Sequence, residues 1–181
     1  MSNTYHHDPI GETTLVAETT GGDVAGGVQV KYDSTNGTRK YRYVYNALAS
    51  TRAAGLPCFY DLTGTTYRGL EVTQATTGNL SHFAGVHAET ANSSVWCWIQ
   101  TLGYNSAAAA RRYNAANTDS LTARAYLTGI NGIDALVYEA AADGVPPGSG
   151  YCINIASTVS VASSLSSTTH AAGVYVFGTI R

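Results

Sequence analysis

The stretch Arg39–Asn46 constrains the fold more than any other part of the chain. Tyr41, Tyr43 and Tyr45 fall at every second position, and Lys40, Arg42 and Val44 fall between them. A period of two places successive side chains on opposite faces of a strand, so this segment is predicted to be a β-strand with one wholly aromatic face. A face of that width needs a cover, either from the rest of the chain or from another molecule. Immediately upstream, Val28–Tyr32 alternates in the same way. The two runs are separated by Asp33-Ser34-Thr35-Asn36-Gly37, and Asn-Gly is a strong hairpin signal because both residues tolerate positive φ.

The same pattern recurs along the chain at intervals of about twelve residues, as in a β-sandwich or β-barrel. Leu56–Asp61, Tyr67–Gln74, His82–His87 and Ser94–Leu102 read as short strands separated by Thr/Gly/Asn turns. Later candidates are Leu121–Thr128, Ala135–Ala140, Tyr151–Ala156, Thr158–Ala162 and the closing run Gly173–Arg181; Thr13–Glu18 is a candidate first strand. The segment Asn105–Asn117 breaks the rhythm. Its alanines favour helix, but no amphipathic stripe supports one, so it is expected to be a short helix or a long loop. Residues 1–12 are polar, contain a proline and show no periodicity. The expected organisation is therefore an extended N-terminal arm (1–12) followed by a single all-β domain (13–181), a barrel or sandwich with at most one short helix.

Composition narrows the function. Of 181 residues, 44% are hydrophobic, enough for a substantial core, while only 12% are charged, about half the usual share. Gly, Thr, Ser, Ala and 13 Tyr stand where Lys and Glu normally would. Interfaces are enriched in aromatics and depleted in Lys and Glu, so this balance suits a protein whose faces are covered by partners, copies of itself included. A net charge of −2, with no basic cluster beyond Arg39-Lys40-Tyr41-Arg42, argues against nucleic acid as a ligand. No apolar run approaches a membrane span, and Met1-Ser2-Asn3-Thr4 lacks a signal-peptide pattern. The chain is thus expected to be soluble and made in the cytoplasm. Cys58, Cys97 and Cys152 are odd in number and far apart, and read as reduced core thiols rather than a disulfide framework.

No constellation of catalytic residues emerges. His6-His7-Asp8, with Tyr5 before it, has two readings: a metal-ligand set, or a polar arm that docks on a partner. Adjacent histidines on an extended chain point apart, which favours docking. His82 and His87 differ in strand parity and so face opposite sides of a sheet. Cys97 lies between Trp96 and Trp98 and points away from both. Gly148-Ser149-Gly150 lacks the nucleophile-elbow frame, and the carboxylates are scattered singly. The aromatics Tyr41, Tyr43, Tyr45, Trp96 and Trp98 suit a core or subunit interface, or a platform on which sugar rings stack. Neither an enzyme nor a cofactor is expected.

Two blocks carry a family resemblance. One is Tyr41–Asn46 followed after a gap by Ala54–Asp61. The other is His82-Phe83-Ala84-Gly85-Val86-His87-Ala88 followed by Val95-Trp96-Cys97-Trp98-Ile99-Gln100-Thr101-Leu102-Gly103. Together they resemble the decoration (cement) proteins of tailed-bacteriophage capsids, which carry a G-V-A-like segment, a turn and a W-V-Q-x-x-G-like strand. The resemblance covers roughly residues 40–103, with a weaker echo at 173–181; the first 38 residues and 105–120 do not share it. It implies a virion structural protein on the outer surface of the assembled shell. Such a protein forms a homotrimer and clamps neighbouring subunits of the major capsid protein.

Overall fold

The structure, a computed structural model, describes residues 3–5, 25–34, 37–74, 82–112, 127, 129, 134–138, 154–155 and 170–177. They are all β, with no helix among them, and their strands join a single hydrogen-bonded sheet. In chain order these are β1 (Asn3–Tyr5), β2 (Val28–Asp33), β3 (Gly37–Asn46), β4 (Pro57–Tyr60), β5 (Glu71–Thr73), β6 (Phe83–His87), β7 (Val95–Arg112), β8 (Leu136–Tyr138), β9 (Asn154–Ile155) and β10 (His170–Phe177).

Five of the strands close a ring. β3 pairs with β5 in parallel, β5 with β4, β4 with β6, and β6 with β7 antiparallel; β7 returns antiparallel to β3, with Tyr43 opposite Trp98 and Tyr45 opposite Trp96. Closure leaves these strands few unpaired edges, which in an open sheet would be templates for aggregation. The predicted hairpin forms: β2 pairs with β3 from Val28↔Arg42 to Asp33↔Gly37, and Gly37 takes the positive φ (72°) that the turn demands.

The period-two reading of β3 accounts for the core. Val44, Cys58, Tyr60, Val72, Ala84, Val95, Cys97 and Ile99 form one buried cluster, drawn from all five ring strands, and therefore fill the ring's interior. Residues of opposite parity form outer layers. Tyr41, Tyr43, Trp96 and Trp98 make one such layer, and Phe59 against Phe83 makes another, with ring centroids 5.6 Å apart and edge-on. Each fully buried side chain of this size contributes about 2–3 kcal/mol of transfer free energy.

Sequence and structure disagree over Asn105–Asn117. Residues 105–112 are neither helix nor loop but the second half of β7. Helix propensity loses because both edges of this run find partners: His170–Ala172 pair with Ala108–Ala110 on one side, and Leu136–Tyr138 pair with Ala110–Arg112 on the other. Small alanine side chains also let the 52–56 loop approach, so that the Ala109 amide donates to the Gly55 carbonyl at 2.8 Å. The predicted strand Tyr67–Gln74 shortens to Glu71–Thr73, because Arg68, Gly69 and Leu70 turn. Ala135–Ala140, Tyr151–Ala156 and Gly173–Arg181 are represented by β8, β9 and β10. Thr13–Glu18, most of Leu121–Thr128 and Thr158–Ala162 lie outside the described residues. Within the expected arm, Asn3–Tyr5 is a strand on β2, with Tyr5 opposite Val30; His6, His7 and Asp8 lie outside the described residues, as does Cys152.

Candidate functional site

The expected aromatics converge. β3 and β7 are neighbours in register, so Tyr43 stacks on Trp96 (centroids 5.5 Å, planes 20° apart) and tilts against Trp98 at 5.0 Å. Tyr45 meets the edge of Trp96 at 5.7 Å, and the Lys31 ammonium lies over the Tyr41 ring at 5.8 Å. Tyr41, Tyr43, Trp96 and Trp98 are buried, with Trp98 only 2% exposed. Neither indole face is open for a sugar to stack upon, so the tryptophans act as packing.

The open rim of this face comes from a residue that sequence reasoning did not single out. Tyr67, 37% exposed, packs its ring on Tyr45 at 4.7 Å and on the edge of Trp96 at 5.0 Å. It belongs to the β4–β5 loop, which is built around two carboxylates. Asp61 Oδ1 accepts from the amides of Thr63 and Gly64 and from the Thr63 hydroxyl. Glu71 Oε1 accepts from the Tyr67 amide at 2.8 Å. A methyl group at Gly64 would meet the Glu71 carboxylate. This loop also exposes Leu62 (46%), so an ordered loop presents two apolar side chains to solvent. Asp-x-Thr-Gly is a recognisable Asx-turn signal, but nothing in the spacing of Tyr67 points to Trp96.

Inside the ring lies a second constellation. His87 Nδ1 stands 3.8 Å from Cys97 Sγ, and the Cys58 thiol donates to the Gly85 carbonyl at 3.4 Å. Cys58 and Cys97 are free thiols. Arg52, 3% exposed, forms an ion pair with Asp134 at 2.9 Å and exchanges backbone hydrogen bonds with Ala91. Burial, reinforced by the Arg52 charge, pushes the His87 imidazole down to about 3. Burial pushes the Cys97 thiol up to about 12, with Glu89 adding to the effect. Cys58 is pushed up mainly by burial, then by Cys97, against the opposing pull of Arg52. A cysteine nucleophile requires the thiolate, and a pair of this kind is activated by a histidine that takes up the proton. At neutral pH this pair holds a thiol beside an uncharged imidazole, the forms that burial selects. His82, just before β6, is half-buried, while His87 is buried.

Among the described residues, Arg42 is the other buried cation. It donates from Nη1 to the Tyr60 hydroxyl at 2.7 Å and lies over the Tyr60 ring at 5.5 Å. Among the described residues, no group of three His, Cys, Asp or Glu side chains is placed to hold a metal ion, and no helix is long and apolar enough to cross a membrane. The chain matches no protein-family model and no curated protein.

Proposed function

We propose that the protein is a non-enzymatic virion structural protein that binds the outside of an assembled tailed-phage capsid as a homotrimer. In this role it clamps neighbouring subunits of the major capsid protein. The observation that carries the reading is the pairing of a charge-poor chain, 12% charged, with a closed ring of strands around which β2 and the β4–β5 loop display Tyr32, Leu62 and Tyr67 to solvent. Adhesion needs that kind of surface: low desolvation cost, aromatic contact area and a frame that loses little entropy on docking. Weak contacts multiplied through three copies give an avid clamp. Residues 40–103, where the family resemblance lies, supply most of β3, all of β4 to β6 and the half of β7 that closes the ring.

The test has two arms. Light scattering on the purified chain should give the mass of a trimer, and the protein should co-sediment with expanded, undecorated tailed-phage capsids and raise their disruption temperature. A monomer that leaves such capsids unbound would end the proposal. A second reading, a tail or fibre module that binds glycans, draws on the solvent-facing Tyr67 ring. It predicts glycan-array binding that Tyr67→Ala abolishes.

A further inference from the structure

We propose that the strand Asn3–Tyr5 is exchanged between copies, so that β1 of one protomer completes the β2 edge of its neighbour. This deepens the homotrimer reading above and rests on it.

Four observations lead here. First, among the described residues β1 stands at the end of the strand order and pairs with β2 alone, through Asn3↔Tyr32, Thr4↔Lys31 and Tyr5↔Val30. Its contribution is a backbone ladder, which is the same whichever copy supplies the strand. Second, the chain can reach. The next placed segment begins at Ala25 and is tied down through Gly26 and Gly27, whose backbones bond to Tyr43. Residues 6–24, nineteen in all, span up to about 65 Å when extended. A domain of this length has a radius of gyration of about 16 Å, so the connection exceeds the distance between touching neighbours.

Third, the receiving edge lacks the usual guard. Edge strands are commonly protected by a lysine that repels an incoming strand. The lysine of β2, Lys31, is half-buried and engaged over the Tyr41 ring, while Tyr32 beside it is 46% exposed. Fourth, the three-pair ladder orders the same backbone whichever copy supplies the strand, so the arrangement is set by what it links. Passed around a closed trimer, the same ladder links every copy to the next and leaves no receiving edge open.

The experiment uses the register. Opposed residues of an antiparallel pair have Cα atoms about 4.5–5.5 Å apart, within disulfide range. Full-length chains carrying Asn3→Cys and full-length chains carrying Tyr32→Cys are co-expressed, oxidised and run under denaturing, non-reducing conditions. Exchange predicts a covalent dimer of the two variants that neither single variant gives alone. The double variant Asn3→Cys/Tyr32→Cys should then run as a covalent trimer. A double variant that runs at monomer mass with its introduced thiols oxidised shows the strand lying on its own chain, and one whose introduced thiols stay free shows β1 absent from the edge; either overturns the exchange. Light scattering on the unmodified chain separates the two ideas. A trimer with intrachain cross-links refutes exchange but spares self-association, whereas a monomer refutes both.

Discussion

Burial decides the protonation state of His87, Cys58 and Cys97 inside the ring. His87 is held neutral because its imidazolium would sit in a dry interior beside the Arg52 guanidinium. Its folded pKa lies below the unfolded value, so the unfolded chain binds the extra proton first as pH falls. The stability it supports is complete above about pH 6.5 and is lost progressively between there and about pH 3. The slope within that window approaches about 1.4 kcal/mol per pH unit for one proton. Thermal midpoints followed from pH 7 to pH 4 should fall more steeply for the wild type than for His87→Leu; parallel curves would show that His87 does not drive the loss. The thiols give a second reading of the same interior. With Cys97 at about 12 and Cys58 also raised, neither is a thiolate at pH 8. In a Cys152→Ser background, a disulfide reagent should label neither cysteine in the folded protein and both in denaturant. Fast labelling of the folded chain would mean that the ring opens.

At the scale of elements, β7 is the spine, pairing with β3, β6, β8 and β10 in turn. Midway along it the ladder is irregular, and Gln100 bonds to the backbone of that irregular stretch. The β3 register skips a residue between Leu102 and Gln100, and Gly103 takes φ 98°. The Gln100 amide donates to the carbonyls of Leu102, Gly103 and Tyr104 at 3.0–3.2 Å, and its oxygen accepts from Asn105 at 3.1 Å. Gln100→Leu would keep the volume and strand those acceptors, at a cost of about 2–3 kcal/mol. Chemical denaturation should therefore show a lower midpoint with an unchanged m-value. A loss below about 0.5 kcal/mol would show that the irregular stretch does not depend on Gln100. This element also marks where sequence reading stops. The strand up to Leu102 was legible because Trp96, Trp98 and Gln100 alternate with Cys97 and Ile99. The continuation to Arg112 was not, because a run of alanines has no period and its strand state comes from β10 and β8, far away in sequence. The site divides in the same way. The stack of Tyr43 on Trp96 follows from two alternating runs, each legible alone. Tyr67 joins them through a loop whose course is set by Asp61 and Glu71, and the Arg52–Asp134 pair spans a separation that no local pattern encodes.

For the whole molecule, scarcity of charge predicts how copies should associate. An assembly held by ion pairs loosens as salt rises, because exposed charges more than about 8–10 Å apart are screened at physiological ionic strength. An assembly held by aromatic contacts and shared strand ladders has little charge to screen, and excluded salts strengthen apolar burial. With 22 formally charged side chains on 181 residues and a net charge of −2, the second regime should hold here. For the trimer proposed above, sedimentation velocity in 0.05 M and 1 M sodium chloride should give the same species, and sodium sulfate should shift any residual monomer toward it. Dissociation on moving to 1 M salt would locate the association in the few charged side chains instead. Arg39, Lys40 and Arg42, the only local basic cluster, would then be the first positions to substitute. Of these, Arg42 is already engaged with Tyr60 inside the ring, which leaves Arg39 and Lys40 as the informative pair.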